Sequence, residues 1–387
     1  MKRYLSIMLV LVLILIMGGC GNKGAGKSDV TENQSVNSVQ KNQIESAAAD
    51  KEIEQEQIKV KETEESKENT KEQTNNRLNE ESTISNEVKQ ASPTDPAFSP
   101  EIIKRASLLV TQNFGNHIIF NKKVPIDDKS YVLDILKANL DVETKYDGGF
   151  ISSINGLKTQ GSVMNGERGD WFYYVNGVCS HVGAMDYKLM TGETVWWDYH
   201  PWSTGPAVSS VIGCYPEPFV HGYNGKTGSI NILYSEGNLN NANSLCDSLK
   251  ARGVSSVKVS GLSEELVKNR HGPTIVLGKW SMLKEIYYLD NLNKAYRKNG
   301  TSVHFLDNGL ELLNYKGEVS KNIDGSAAVI VATGEGLGDA NPLWLAAGTD
   351  NSAVTQAIDI LVKNPSKIFQ LYNAAVSSGE IIALPLQ

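Results

Sequence analysis

The six histidines, His117, His181, His200, His221, His271 and His304, are the side chains most ready to exchange protons or bind metal near neutral pH. They are scattered. No two stand at i,i+4, and no cysteine–histidine spacing makes a metal-ligand set. Cys179, Ser180 and His181 are consecutive, the residue types of a nucleophile and its base, but that chemistry requires convergence in space with a third orienting group. Asp198 and His200 alternate at one strand end and can face the same way, yet two ligands are not a site. The chain carries no G-x-S-x-G, H-E-x-x-H or C-x-x-C motif and no phosphate-binding P-loop. Gly334 to Gly338 follows a strand as a phosphate cradle would, but Asp339-Ala340-Asn341-Pro342 stands where a helix N-terminus is needed, so a turn is expected. The expectation is a chain that is not an enzyme. A hydrolase would need a nucleophile, a histidine such as His271 or His304 and a carboxylate in one cleft.

Aromatic residues give the stronger signal. They make up 7% of the chain, yet Trp171, Phe172, Tyr173, Tyr174, Tyr187, Trp196, Trp197, Tyr199 and Trp202 crowd into one short stretch. On a strand, Trp171 and Tyr173 share one face and Phe172 and Tyr174 the other; the same alternation parts Trp196 from Trp197. One set is expected in the core, and the other is expected to stack on a ligand or in cross-strand pairs.

The elements that must position these residues begin near Phe98. Strands are expected at Ala106 to Thr111, Ile118 to Phe120, Gly149 to Ile154, Trp171 to Val175 and Glu193 to Tyr199, with an amphipathic helix from Tyr131 to Asn139 capped by Ser130. Asn176-Gly177 reads as a hairpin turn. His200 to Pro206, with prolines and small residues, reads as a domain junction. Beyond it, strands at Ile230 to Tyr234, Ser256 to Val259, Pro273 to Gly278, Ser302 to Phe305, Ala327 to Ala332 and Leu343 to Ala347 alternate with helices. Those helices are expected at Asn240 to Ala251, Ser281 to Lys298 and Ser352 to Val362, a rhythm that indicates a layered α/β sheet. The expected fold class is α+β: a domain with one helix on a small mixed sheet over 98–202, then an α/β layered domain over 207–387.

The N-terminal end bears on where this fold works. Lys2 and Arg3, the apolar run Leu5 to Met17 and the small-residue site Met17-Gly18-Gly19-Cys20 make an export signal over 1–19. A cysteine directly after two glycines resembles the lipobox of bacterial lipoproteins, which implies lipidation on Cys20 and a place on the outer face of the cytoplasmic membrane. Residues 20–97 lack any aromatic from Gly21 to Pro96 and are rich in Glu, Lys, Gln, Asn, Ser and Thr, so a disordered polar spacer is expected. As a flexible coil its ends would lie about 50 Å apart. The net charge of −7 disfavours a nucleic-acid partner. Besides Cys20 there are Cys179, Cys214 and Cys246, and three cannot all pair; pairing of Cys214 with Cys246 is left open.

The ordered set Tyr131 to Leu136, Gly148 to Gly156, Trp171 to Gly177, Gly183 to Tyr187 and Gly192 to Val195 resembles the bacterial domain of unknown function 4430, which is similar to the C-terminal domain of transcobalamin and intrinsic factor. The resemblance implies a β-grasp-like fold over about Ile102 to Tyr199. It also implies a ligand surface that caps one face of cobalamin, carried by Trp171, Tyr173, His181, Val182, Gly183 and Tyr187. The animal carriers hold the other face with a helical domain, and here a spacer stands in its place. Pro342 to Asp350 resembles segments of surface-layer and cell-wall-associated proteins.

Together these readings describe a surface-tethered, non-enzymatic binding lipoprotein, without a resident cofactor, that takes cobalamin or another corrinoid for an uptake transporter. The alternative is an adhesive or structural envelope protein that binds protein or wall polymer, its aromatics mostly core.

Overall fold

The computed structural model describes residues 103–160, 168–202 and 205–387. The export signal, Cys20 and the expected spacer lie outside the described residues. What is described is a mixed α+β structure with two principal sheets.

The first sheet grows around strand β1 (Arg105–Gln112), whose alternation sends Leu108 and Val110 to one face and Leu109 to the other, all buried. Strand β2 (His117–Pro125) pairs with it antiparallel, and β8 (Thr194–Pro201) returns on its other side in parallel, with Leu109 opposite Trp196. Strands β6 (Gly169–Val175) and β7 (Val178–Cys179) complete the order β2-β1-β8-β6-β7. Asn176 and Gly177, at φ of 53° and 78°, form the tight turn between β6 and β7 that their sequence indicates. One helix, α1 (Val132–Asn139), lays Val132, Leu133, Ile135 and Leu136 on the sheet, and a small sheet of β3 (Val142–Lys145), β4 (Phe150–Ile154) and β5 (Leu157–Lys158) follows it.

The second sheet has seven strands. Strands β9 (Ile230–Tyr234), β10 (Val257–Gly261), β11 (Thr274–Lys279) and β16 (Leu343–Gly348) are parallel neighbours, and β15 (Ala327–Thr333), β17 (Asn373–Ser377) and β18 (Glu380–Leu384) extend them antiparallel. Both faces are covered, so β15 and β16 are buried along their whole length, as near-continuous apolar runs require. Ile330 and Trp344 face helices α2 (Leu239–Ala251) and α6 (Asn351–Lys363). Val329, Val331 and Leu345 face the other layer. That layer holds the short helices α3 (Glu264–Lys268), α4 (Trp280–Leu283) and α5 (Tyr287–Lys294). It also holds a three-stranded sheet of β12 (Val303–Leu306), β13 (Gly309–Leu313) and β14 (Val319–Asp324). Asp350 caps α6, accepting from Ala353 N–H at 2.9 Å.

Three local expectations are corrected. The cap of α1 is Tyr131, whose N–H donates to Asp134 at 2.9 Å; Ser130 instead turns its hydroxyl to Asp127 at 2.8 Å. The single helix expected from Ser281 to Lys298 is broken, because Ile286 takes an extended backbone (φ −82°, ψ 113°) that packs its side chain into the core beneath. The strand expected to end at Tyr199 runs on: His200 and Pro201 are still paired in β8, opposite Asp170 and Gly169. Cys179, Cys214 and Cys246 are all buried free thiols, so Cys214 and Cys246 do not pair.

A fourth apolar cluster joins the two sheets. Leu109, Phe114, Tyr174 and Trp196 from the first meet Val211 and Cys214 of the segment between the sheets and Tyr372, which immediately precedes β17 of the second. The β1–β2 turn enters this contact so closely that a Cβ on Gly115 would stand 1.9 Å from the Gln370 carbonyl oxygen, a position only glycine can hold.

Candidate functional site

Strands β6 and β8 place the crowded aromatics in cross-strand register, with Trp171 opposite Tyr199, Tyr173 opposite Trp197 and Tyr174 opposite Trp196. Helix α1 covers the face that carries Trp171, Tyr173 and Trp197. Val211 and Cys214 of the segment after β8, with Tyr372 beside β17, cover the face that carries Tyr174 and Trp196. Neither face is left for a ligand. Of the two outcomes expected for the second set, ligand stacking or cross-strand pairing, the structure has the pairing: Trp171, Tyr173, Trp196 and Trp197 are 8%, 9%, 0% and 3% exposed, whereas Trp202 reaches solvent, at 44%. Tyr173 and Trp197 stack with ring centroids 4.7 Å apart, the kind of pair that adds about 0.5–1.5 kcal/mol beyond burial.

Of the six residues carried over by resemblance, Trp171, Tyr173 and Tyr187 are therefore core. Trp171 Nε1 donates to the Leu157 carbonyl at 3.1 Å, and the Tyr173 hydroxyl donates to the Val182 carbonyl. The Tyr187 hydroxyl donates to the buried carboxylate of Glu193 at 3.0 Å and accepts from Asn224 N–H at 2.9 Å. Burial pushes both phenols well above their usual range, and raises the Glu193 carboxyl as well.

The other three, His181, Val182 and Gly183, lie together on the loop after β7, with His181 and Gly183 exposed and Val182 half-buried. The loop is pinned from both sheets. Ser180 Oγ donates to the Val182 carbonyl at 3.0 Å, and the Tyr223 hydroxyl lies 3.0 Å from Ser180 Oγ and 3.3 Å from His181 Nδ1. From the second sheet, Gly338 N–H donates to the Cys179 carbonyl at 2.8 Å, and a Cβ on Gly338 would collide with His181 Nδ1 at 1.6 Å. Gly334 to Gly338 thus serves as a docking turn, closed by Asp339, which accepts from Glu335 and Asn341 N–H at 2.9 Å each. Cys179 is buried with its thiol pushed up to about 12, so it stays protonated and is no nucleophile.

What the sequence reading missed lies next to this loop. Tyr146, Asp147 and Gly148 are three consecutive left-handed residues, at φ of 53°, 53° and 105°. They hold Tyr146 at 83% exposure, with its ring 6.5 Å from that of Phe150. Met185, 40% exposed, comes from the His181 loop and reaches within 3.8 Å of where a Cβ on Gly148 would sit. The sequence Tyr146-Asp147-Gly148-Gly149 signals a turn, but not that an aromatic would be held out of it.

Two polar features lie away from this surface. Asp198 is fully buried and accepts from Phe114 N–H at 3.0 Å, Gly115 N–H at 3.1 Å, the Tyr372 hydroxyl at 3.2 Å and the Thr111 hydroxyl, with His200 Nδ1 at 2.9 Å. His200 is sandwiched between Phe114 and Phe172, each ring centroid 4.4 Å away, so the Asp198–His200 pair is a joint between the sheets rather than an open acid–base site. A cleft of about 430 Å³ opens beside Lys104, Asp127, Lys188 and Met190, and none of the six carried-over residues lines it. Among the described residues no group of three or more His, Cys, Asp and Glu is placed to hold a metal ion.

The first sheet with its helix is thus an α+β layer whose ribbon of aromatics is core. Residues 129–201 match the family model described as domain of unknown function 4430 (DUF4430), the region in which the sequence resemblance lies. Two solved structures are similar over the same share of the chain. One is haptocorrin in complex with Cbi, at 19% identity and a TM-score of 0.21, covering 26% of this chain and 26% of that one. The other is a putative metal binding protein from Ruminococcus gnavus ATCC 29149, at 16% identity and a TM-score of 0.21, covering 26% of this chain and 98% of that one. The match therefore spans about a quarter of the haptocorrin chain. No curated protein matches this sequence.

Proposed function

We propose that the protein is a non-catalytic, lipid-anchored binding protein on the outer face of the cytoplasmic membrane, tethered through Cys20 and a polar spacer. Its first half is read as β-grasp-like, because the first and last strands of the mixed sheet lie parallel at its centre, crossed by one helix. Ligand is taken at the domain edge where the His181–Met185 loop meets the Tyr146–Phe150 turn. The observation that carries this is Tyr146, an aromatic held in solvent on a left-handed backbone at φ 53°. That conformation costs about 1–2 kcal/mol, against which an edge contact with the Phe150 ring returns only part, so the residue is better explained by what it meets than by what it stabilises.

A corrinoid is the ligand that the resemblance to the transcobalamin C-terminal domain implies, delivered to an uptake transporter. A flat macrocycle suits the groups that Tyr146, Phe150 and Met185 bring to this edge, with His181 and Val182 on the same loop as Met185. The test is calorimetric titration of the soluble part with cobalamin and cobinamide, for the parent and for Tyr146→Ala. Saturable heat in the parent, weakened about tenfold or more in the variant, is expected. No heat at high micromolar corrinoid removes the corrinoid reading, and equal binding by the variant moves the site elsewhere.

A second reading, an adhesive envelope protein, is favoured by the burial of Trp171, Tyr173, Trp196 and Trp197, since the crowded aromatics then need no ligand to account for them.

A further inference from the structure

Helices α3 and α5 border an open groove of about 310 Å³ on the second half, lined by Glu264, Lys268, Tyr287, Tyr288, Asn291 and Leu292. The spacing is helical: Glu264 and Lys268 stand one turn apart on α3, and Tyr287 and Tyr288 stand one turn before Asn291 and Leu292 on α5, so each helix turns one stripe to the groove. The volume is at the lower end of the range for small-ligand sites.

Its floor is rigid. Tyr288 and Leu292 pack on the core beneath, and the guanidinium of Arg270 lies 5.2 Å from the centre of the Tyr288 ring. Arg270 is itself buried and paired with Glu335 at 3.1 Å, and the Tyr288 hydroxyl donates to the same carboxylate. Tyr287 stands beside this floor at 72% exposure, among the most exposed large apolar side chains described.

Around the two rings the polar groups are uncommitted. The Asn291 amide, the Lys268 ammonium and the Tyr287 hydroxyl make no hydrogen bond or ion pair with other described residues. The Glu264 carboxylate accepts only from Tyr288 N–H, at 3.3 and 3.4 Å, and keeps lone pairs facing outward. An aromatic surface ringed by a two-way amide, an acceptor and a donor is complementary to a sugar ring, which offers an apolar C–H face and hydroxyls at its edge. The lining carries one negative and one positive group, Glu264 and Lys268, which does not suit a polyanion such as nucleic acid. Because the groove is open to solvent, it admits the interior of a chain as well as its end.

We propose that this groove binds a glycan, specifically a polymer of N-acetylated hexosamine such as the wall presents to an envelope-tethered protein. Tyr287 and Tyr288 stack on a sugar ring, Glu264 accepts from the acetamido N–H, and Lys268 and Asn291 donate to its carbonyl and to hydroxyls. The inference rests on the envelope-binding reading for the source of the glycan and on the groove alone for its chemistry; it is independent of the corrinoid surface.

The test pairs a soluble probe with a whole polymer. The parent and the variants Tyr287→Ala and Asn291→Ala are titrated with the tetramer of N-acetylglucosamine, with cellotetraose as the sugar lacking acetamido groups, and are sedimented with purified cell walls. Far-UV circular dichroism confirms that the exposed substitutions leave the fold intact. Saturable binding of the N-acetylated tetramer, stronger than of cellotetraose and weakened about tenfold in Tyr287→Ala, is expected. Co-sedimentation with walls that is equal in parent and variants overturns the groove while leaving the envelope reading standing. Absence of both tetramer binding and co-sedimentation overturns both, and preference for cellotetraose overturns the acetamido assignment.

Discussion

The β6–β8 ribbon and the two exposed tyrosine sites make opposite use of the same chemistry. In the ribbon, aromatics are dense in sequence, paired across strands and buried on both faces. At Tyr146 and Tyr287 they are sparse, stand on a strained turn and at the start of a short helix, and are 83% and 72% exposed. The difference teaches that aromatic crowding here reports a core, because a sheet covered by a helix on one side and by the Val211–Cys214 segment and Tyr372 on the other needs large side chains to fill both gaps. The rings left in solvent, Tyr146 and Tyr287, are instead those whose surroundings leave them uncovered.

The comparison breaks first at Trp196, which is fully buried, donates to Thr111 Oγ1 at 2.7 Å and lies 5.2 Å from the Tyr372 ring. Trp196→Ala is expected to destabilise by about 3–5 kcal/mol, read as a lower urea midpoint; an unchanged midpoint would show that the ribbon is not core. Asp198→Ala comes next, at about 3 kcal/mol, because it leaves Phe114 and Gly115 N–H and the Tyr372 hydroxyl without their acceptor. Since those groups belong to both sheets, tryptophan fluorescence and circular dichroism should unfold together in the parent and separate in this variant. Coincident transitions in both would mean that the apolar contacts alone couple the sheets. The smallest effects belong to Tyr146→Ala and Tyr287→Ala, expected within about 0.5 kcal/mol of the parent. A loss as large as that at Trp196 would place either ring in the core and remove it as a contact surface.

Much of the architecture was legible because period and turn chemistry are local. Val132, Leu133, Ile135 and Leu136 mark one face of α1, and Asn176-Gly177 marks its hairpin. Strands β13, β14, β17 and β18 were not read, because Glu311 and the polar run Ser320 to Asn322 interrupt the first two and the last two are only five residues each, although all four pair with a neighbour in the chain. The break in the expected helix at Ile286 follows from packing beneath it, which no window of sequence records.

The candidate site divides the same way. His181, Val182 and Gly183 were named from an ordered motif, and they do lie on one accessible loop. Trp171, Tyr173 and Tyr187 were named from the same motif, but alternation tells only that neighbours point apart, not what covers either face. The sequence by itself determined the single helix α1 and the strands that flank it, the cross-strand alternation and the absence of the catalytic motifs sought, since each is a property of neighbours along the chain. Only the tertiary structure decided that both faces of the ribbon are covered, that Gly338 seats His181, and that Tyr146 and Tyr287 stay in solvent. Exposure depends on which distant segments pack against a residue, and that is set by the whole chain.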